Sequence, residues 1–232
     1  MPQTAPELIV DILRRQPSIS AIHIFYPTLS APIQQMPGLT ADELDIISQS
    51  LELRSQTDFP FWDCLFQVAA QSVAHMPNLL RTAKRHNAQS ATLDRVARSD
   101  VLSAALDLKI QKLEAGEVLA ISSKVECAGN LLHLPMLDFH CKRTLANDAR
   151  VKQILSLLDL KGYILSSGQS YHFYGIELVD TDTLITMLAR ALLFVPMIDR
   201  AWIAHQLIER ACGLRISSGK SYIMPPTVVD VV

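Results

Sequence analysis

The sequence predicts an α+β protein in which an antiparallel or mixed sheet packs against helices. Helical patterns dominate the first half, whereas strand patterns alternate with amphipathic helices from Gly116 onward. The clearest signal is residues 162–178, where β-prone residues flank a Ser/Gly-rich turn, as in a hairpin. We therefore expect a mainly helical region over residues 1–115, packed on a core over residues 116–232.

The composition indicates a globular protein. Of the 232 residues, 49% are hydrophobic and 19% are charged, which is enough apolar material for a packed core. The formal net charge of −2 argues against a protein that coats nucleic acid, but is compatible with a locally basic cleft. No segment resembles a signal peptide or a membrane span, and widely spaced cysteines disfavour disulfides and Cys-type zinc sites. We expect a soluble, cytoplasmic protein with no membrane partner.

In the first half, two capping boxes predict helix starts, at residues 4–7 and 40–43. Residues 19–26 alternate well enough for a strand. Residues 59–76 are mostly apolar and predict a buried helix, and residues 78–113 predict one long or broken helix.

In the second half, the predicted strands and helices alternate. Strands are expected at residues 117–127, 131–140, 214–216 and 221–224, and helices at residues 147–160, 181–194 and 200–212. Together with the hairpin, this order favours a sheet with helices on one face.

The predicted strand over residues 131–140 carries two candidate ligands. Side chains alternate along a strand, so Asp138 and His140 point to the same face. A carboxylate and an imidazole on one face are plausible metal ligands. Taken alone, this pair of residues is better explained by a polar strand end that meets solvent.

His172 and Asp199 each have a structural and a functional interpretation. His172 follows the turn at Ser167 and Gly168, which places an imidazole beside a hydroxyl on one small hairpin. Asp199 precedes a predicted helix, so its default role is that of an N-cap.

The segment from Gly213 to Ser221 resembles a phosphate-binding P-loop but is not one. Five residues, rather than four, separate its glycines, and prolines soon after it prevent a helix from following. The candidates that remain for phosphate contacts from a strand and turn are Arg215, Ser217, Ser218 and Lys220.

Taken in order, these motifs resemble the archaeo-eukaryotic primase superfamily, including the small subunit of primase. Asp138 to His140 is similar to the first motif of that family, Asp-x-Asp. Ser167, Gly168 and His172 are similar to the second, and Ile198-Asp199 to the third. The resemblance covers approximately residues 117–228.

The resemblance implies an RRM-like core and a DNA-directed primase or polymerase-type nucleotidyltransferase. It implies Mg²⁺ or Mn²⁺ as cofactor, and nucleoside triphosphates, nucleic acid and a replication or helicase protein as partners. The catalytic and metal-binding residues it implies are Asp138, His140 and Asp199. The nucleotide-binding residues it implies are Ser167, Gly168, His172, Arg215, Ser217 and Lys220.

His140 is the one departure, because the family has an acidic residue at this position. Imidazole is neutral and softer than carboxylate, which predicts either a Mn²⁺-preferring or single-metal enzyme, or a degenerate module that binds without catalysis. A third interpretation is a metal-dependent hydrolase that uses Asp138, His140, His172 and Asp199.

Overall fold

The computed structural model describes residues 2–27, 33, 36–57, 59–72, 75–85, 92–219 and 223–232. These residues form two antiparallel sheets and a set of helices that surround a shared hydrophobic core. The predicted α+β class with an antiparallel sheet is confirmed.

The first sheet has five strands in the order β2-β1-β3-β4, and β8 also pairs with β3. Its strands are β1 (Ile19–Phe25), β2 (Asp94–Ala97), β3 (Ala120–Cys127), β4 (Asn130–His133) and β8 (Gly213–Arg215). β1 and β2 precede residue 115, so this sheet draws on both parts of the predicted division. The division itself stays a prediction.

The second sheet has four strands in the order β5-β7-β6-β9. Its strands are β5 (Met136–Asp138), β6 (Gly162–Ser166), β7 (Tyr171–Gly175) and β9 (Thr227–Val231). β6 and β7 form the predicted hairpin. Gly162 is required there by a close approach, because an added Cβ would lie 2.1 Å from the carbonyl oxygen of Tyr174.

The helices are distributed along the whole chain. In order they are α1 (Ala5–Arg15), α2 (Ala41–Thr57), α3 (Phe61–Ala69), α4 (Pro77–Arg85), α5 (Arg98–Leu102), α6 (Ala105–Gln111), α7 (Leu145–Leu157), α8 (Thr181–Ala191) and α9 (Arg200–Glu209). In the parts of the chain that the structure describes, every helix is too short or too polar to span a bilayer.

The single strand predicted over residues 131–140 is wrong. The segment divides into β4 and β5, which belong to different sheets. Pro135 lies between them and has no N–H to donate to a strand ladder. Its carbonyl instead accepts the Gly175 N–H at 2.8 Å, which directs the chain into the second sheet.

Two further predictions of local structure need correction. The helical stretch predicted over residues 78–113 contains β2, a strand whose register against β1 pairs Val96 with Ile22. In such a short segment, pairing with a neighbouring strand outweighs the intrinsic helix propensity of the residues. The strand predicted over residues 221–224 lies partly outside the described residues, and the last strand is β9.

Helices α2, α3 and α4 form a helical unit with its own small hydrophobic cluster, which includes Ile46, Ile47, Trp62, Leu65 and Leu79. Glu43 is fully buried at the centre of this unit. Its carboxylate accepts the backbone N–H of Asn78 at 2.8 Å and of Leu79 at 3.1 Å, and so caps the start of α4.

The buried Glu43 carboxylate is stabilised in its charged form. Burial alone would raise its pKa, but hydrogen bonds from Thr40, Asn78 and Leu79 outweigh burial and lower the pKa to about 2. The resulting stabilisation is present above the ordinary pKa of 4.5 and is lost as the pH falls toward 2.

We predict that Glu43→Gln lowers the free energy of unfolding at pH 7 by about 1–3 kcal/mol, because the new NH₂ group faces backbone donors. Urea denaturation measures this loss. Glu52→Gln is the matched control, since Glu52 is exposed on the same helix and should behave as wild type. Equal stability of both variants would contradict the assigned role of Glu43.

Candidate functional site

The β6–β7 turn is closed by its own backbone. The N–H of Ser167 donates to the carbonyl of Ser170 at 3.0 Å, and Gly168 adopts a φ of 113°. This left-handed region favours glycine, which explains its place in the turn. The turn therefore holds Ser167 and His172 on one rigid hairpin.

The chain after β5 is attached to this hairpin. The Ser170 hydroxyl donates to the carbonyl of Phe139 at 2.5 Å and accepts the Cys141 N–H at 3.1 Å. In the ladder itself, Asp138 lies directly opposite His172. These bonds extend the path of β5 as far as His140.

The other side of the segment of residues 138–140 pairs with the segment before α9. The Asp199 N–H donates to the carbonyl of Asp138 at 3.1 Å, and the His140 N–H donates to the carbonyl of Met197 at 2.8 Å. The Asp199 side chain accepts the Trp202 N–H at 2.9 Å. The predicted N-cap at Asp199 is thus confirmed, and it places this carboxylate beside Asp138.

Strand β8 supplies a cation to the same region. Arg215 donates to the carbonyl of Ser167 at 2.8 Å and also to the carbonyl of Ser217. These bonds to backbone oxygens hold the guanidinium next to the hairpin turn.

The described residues around this region enclose a cavity of about 810 Å³. Six of the sequence-predicted residues line it: Asp138, His140, Ser167, His172, Asp199 and Arg215. Gly168 and Ser217 are not in its lining. The Ser217 hydroxyl is buried and bonds to the Leu119 N–H and the Ser218 carbonyl. Lys220 lies outside the described residues.

Burial and nearby charges set the protonation states of Asp138 and His172 in the cavity lining. Burial raises the pKa of Asp138 well above its usual range, the nearby Asp199 carboxylate raises it further, and Arg215 opposes this rise. Burial lowers the pKa of His172 to about 3, and Arg215 contributes. His172 is therefore neutral at pH 7. The 3.7 Å between its Nε2 and the Oδ1 of Asp138 thus does not mark an ion pair.

His172 also carries an unused polar atom. Within the described residues, neither His172 Nδ1 nor the Tyr174 hydroxyl has a hydrogen-bond partner, although both are buried. The two side chains lie two positions apart on β7 and so share one face of the sheet. Unpaired buried polar atoms are costly and are common at functional sites.

The chemistry of the donors suits a divalent ion in part. Asp138 and Asp199 are adjacent hard ligands whose mutual repulsion a cation would relieve. Burial lowers the pKa of His140, which keeps its ring unprotonated, although Asp199 opposes this effect. Among the residues that the structure describes, however, no group of three or more His, Cys, Asp or Glu side chains converges as a metal site. The two carboxylates fit a divalent ion, and binding of one ion by all three residues stays a prediction.

The sequence predictions missed the residues that the helical unit contributes to the cavity. Arg54, Trp62 and Asp63 line it, and Asp63 forms an ion pair with Arg200 at the start of α9. No short sequence motif can predict this ion pair, because Asp63 and Arg200 lie 137 positions apart in the sequence. Ser170 was also missed, although its place in the turn between the Gly168 and His172 motif positions was a usable signal.

Residues 98–227, which are more than half of the chain, match the family model described as archaeo-eukaryotic primase 1D-like. The chain belongs to this family. No curated protein and no solved structure matches the chain. The suspected relationship to the archaeo-eukaryotic primases is therefore confirmed, and the two antiparallel sheets of this primase-like chain are consistent with the core of that family. Archaeo-eukaryotic primases generally use divalent metals.

In this primase-like chain Asp199 caps α9 and also carries the charge that repels Asp138. Substitution can separate these two roles. We predict that Asp199→Ala lowers the free energy of unfolding by about 0.5–2 kcal/mol, because the first turn of α9 loses its cap. Asp199→Asn should retain wild-type stability, since asparagine is an equally good N-cap. Urea denaturation at pH 7 compares the two variants, and both remove the charge that repels Asp138. An alanine variant as stable as the asparagine variant would show that the cap contributes little.

Proposed function

We propose that this chain is a primase-like nucleotidyltransferase that binds a nucleoside triphosphate with a divalent metal and acts on nucleic acid. The observation that carries the proposal is the convergence of residues from all three motifs on one cavity, within a chain of the primase family. Candidate ligands from three separate segments that line one cavity can contact the same bound molecule.

The proposed phosphate contacts come from the hairpin and from β8. Arg215 presents a planar guanidinium at the cavity, which suits phosphate oxygens. Ser167 adds a hydroxyl, and His172 adds an imidazole that lines the same cavity. Lys220 is assigned to the same group from the sequence. The structure gives Gly168 a turn-forming role and Ser217 a structural one, so a direct phosphate contact from either remains only a prediction from the resemblance.

The proposed metal ligands are Asp138 and Asp199, with His140 beside them. When bound, a divalent ion would activate the attacking hydroxyl and neutralise charge on the triphosphate. The chain's own contribution is to hold the two carboxylates together. The backbone bond from the Asp199 N–H to the Asp138 carbonyl and the bond that the Asp199 carboxylate accepts from the Trp202 N–H do this.

A second candidate is a module of the same fold that binds nucleotide or nucleic acid without catalysis. Two observations favour it: His140 stands where the family has an acidic residue, and no three-ligand metal group converges within the described residues. A metal-dependent hydrolase is the remaining alternative, and it would release phosphate without extending a primer.

We predict that a nucleoside triphosphate raises the melting temperature only when Mg²⁺ or Mn²⁺ is present. Asp199→Asn should abolish this effect, because it removes one carboxylate while keeping the helix cap. Lys220→Ala should weaken calorimetric affinity roughly ten- to a hundredfold, as expected for one lost charged contact.

Lys112→Ala serves as the control for Lys220→Ala, because the Lys112 side chain is exposed to solvent and does not line the cavity. If the wild type binds no triphosphate at millimolar concentration with either metal, the nucleotide-site proposal fails.

We predict that His140→Asp raises Mg²⁺-dependent nucleotide incorporation on a primed template, because it restores the carboxylate pair of the family's first motif. In the wild type, Mn²⁺ or Co²⁺ should support more incorporation than Mg²⁺, since imidazole suits those ions better. His75→Asp is the control, since it makes the same change at an exposed position outside the cavity lining. If the wild type and His140→Asp are inert with every metal, the binding module is the better description.

A further inference from the structure

One wall of the cavity comes from residues that precede the family-matched segment. Leu51, Arg54 and Ser55 of α2 line it, and so do residues at the start of α3. The three α2 residues are spaced three and four apart, which places them on one helix face. The helical unit therefore presents a defined face of α2 to the site.

The helical unit is fixed to the primase-like core at the start of α9. Asp63 of α3 pairs with Arg200, and Ala201 packs against the hydrophobic cluster of the helical unit. Both contacts directly follow Asp199 in the sequence. These two contacts thus hold the wall formed by α2 in place next to Asp199, one of the proposed metal ligands.

Arg54 is the residue of this wall that has no structural task. Its side chain is exposed at the cavity, and none of the described residues forms a hydrogen bond or an ion pair with it. Its positive charge is nevertheless close enough to His140 to help lower the pKa of that imidazole, against the opposing effect of Asp199. Arg54 is therefore an uncommitted cation beside the motif residues.

The other charged groups of the cavity indicate why a free cation at this position would suit phosphate binding. The Asp63 carboxylate is already paired with Arg200, and Arg215, which comes from β8 of the core, donates to backbone oxygens. A triphosphate carries several negative charges and needs donors on more than one side. Guanidinium binds phosphate oxygens through two parallel N–H groups, which an exposed arginine can do without losing an existing bond.

We propose that Arg54 contacts the phosphate chain of the bound nucleotide, so that α2 completes a site whose other contacts lie in the family-matched segment. This inference rests on the proposed function. It adds a binding residue that the primase motifs do not contain, and it gives the helical unit a direct part in substrate binding.

Titration calorimetry with ATP and Mn²⁺ tests the inference on the full chain. We expect Arg54→Gln to weaken ATP binding roughly ten- to a hundredfold. Arg54→Lys should retain part of the affinity, because it keeps the charge but loses the bidentate geometry. The weakening should shrink from ATP to ADP to AMP. Arg81→Gln is the matched control, since Arg81 is exposed on α4 of the same helical unit and does not line the cavity.

The outcomes separate this inference from the proposed function. If the wild type binds ATP and Arg54→Gln binds it equally well, the inference is wrong and the proposed function stands. If Arg54→Gln weakens binding of a short single-stranded oligonucleotide but not of ATP, Arg54 contacts nucleic acid and the inference is again wrong. If the wild type binds no nucleotide, both proposals fall. The melting temperature of Arg54→Gln without ligand should match wild type, since Arg54 has no bond to lose.

Discussion

The candidate site depends on backbone hydrogen bonds to both sides of residues 138–140. On one side, this segment pairs with the end of the β6–β7 hairpin. On the other side, it pairs with residues 197–199, through the bonds of Asp199 to Asp138 and of His140 to Met197. Backbone pairing of this kind does not depend on which side chains are present. It holds the three motifs in one place even though the first motif carries His140 rather than an acid.

This pairing also determines the electrostatics of the site. It places two carboxylates together in a partly desolvated position, where repulsion between them favours the protonated form of Asp138. Arg215, held by carbonyl groups, is the counter-charge on the core side. The site thus brings two carboxylates and a guanidinium together in one cavity and shifts the pKa of Asp138, which is typical of a binding site rather than of a hydrophobic core.

The sequence predicted those features that local chemistry determines. The Ser/Gly turn predicted the hairpin, and the position of Asp199 before a helix predicted its N-cap. The order of the motifs indicated the family. The sequence did not predict that Pro135 sends the chain into a second sheet, or that the hydroxyl of Ser217 is used within the fold. It also gave no sign of Arg54 and Asp63 at the cavity, because contacts between distant segments arise from packing and have no local pattern.

The placement of β1 has a consequence for the boundaries of the primase-like unit. β1 lies between β2 and β3 and pairs with β3 from Ala120 to Cys127, along the whole of that strand. A fragment limited to residues 98–227 would lose β1 and leave the backbone groups along one edge of β3 unpaired and open to other chains. Such an edge promotes aggregation. The sheet to which β3 of the family-matched segment belongs is therefore completed by a strand from outside the matched residues, so a fragment meant to keep this sheet intact has to include β1.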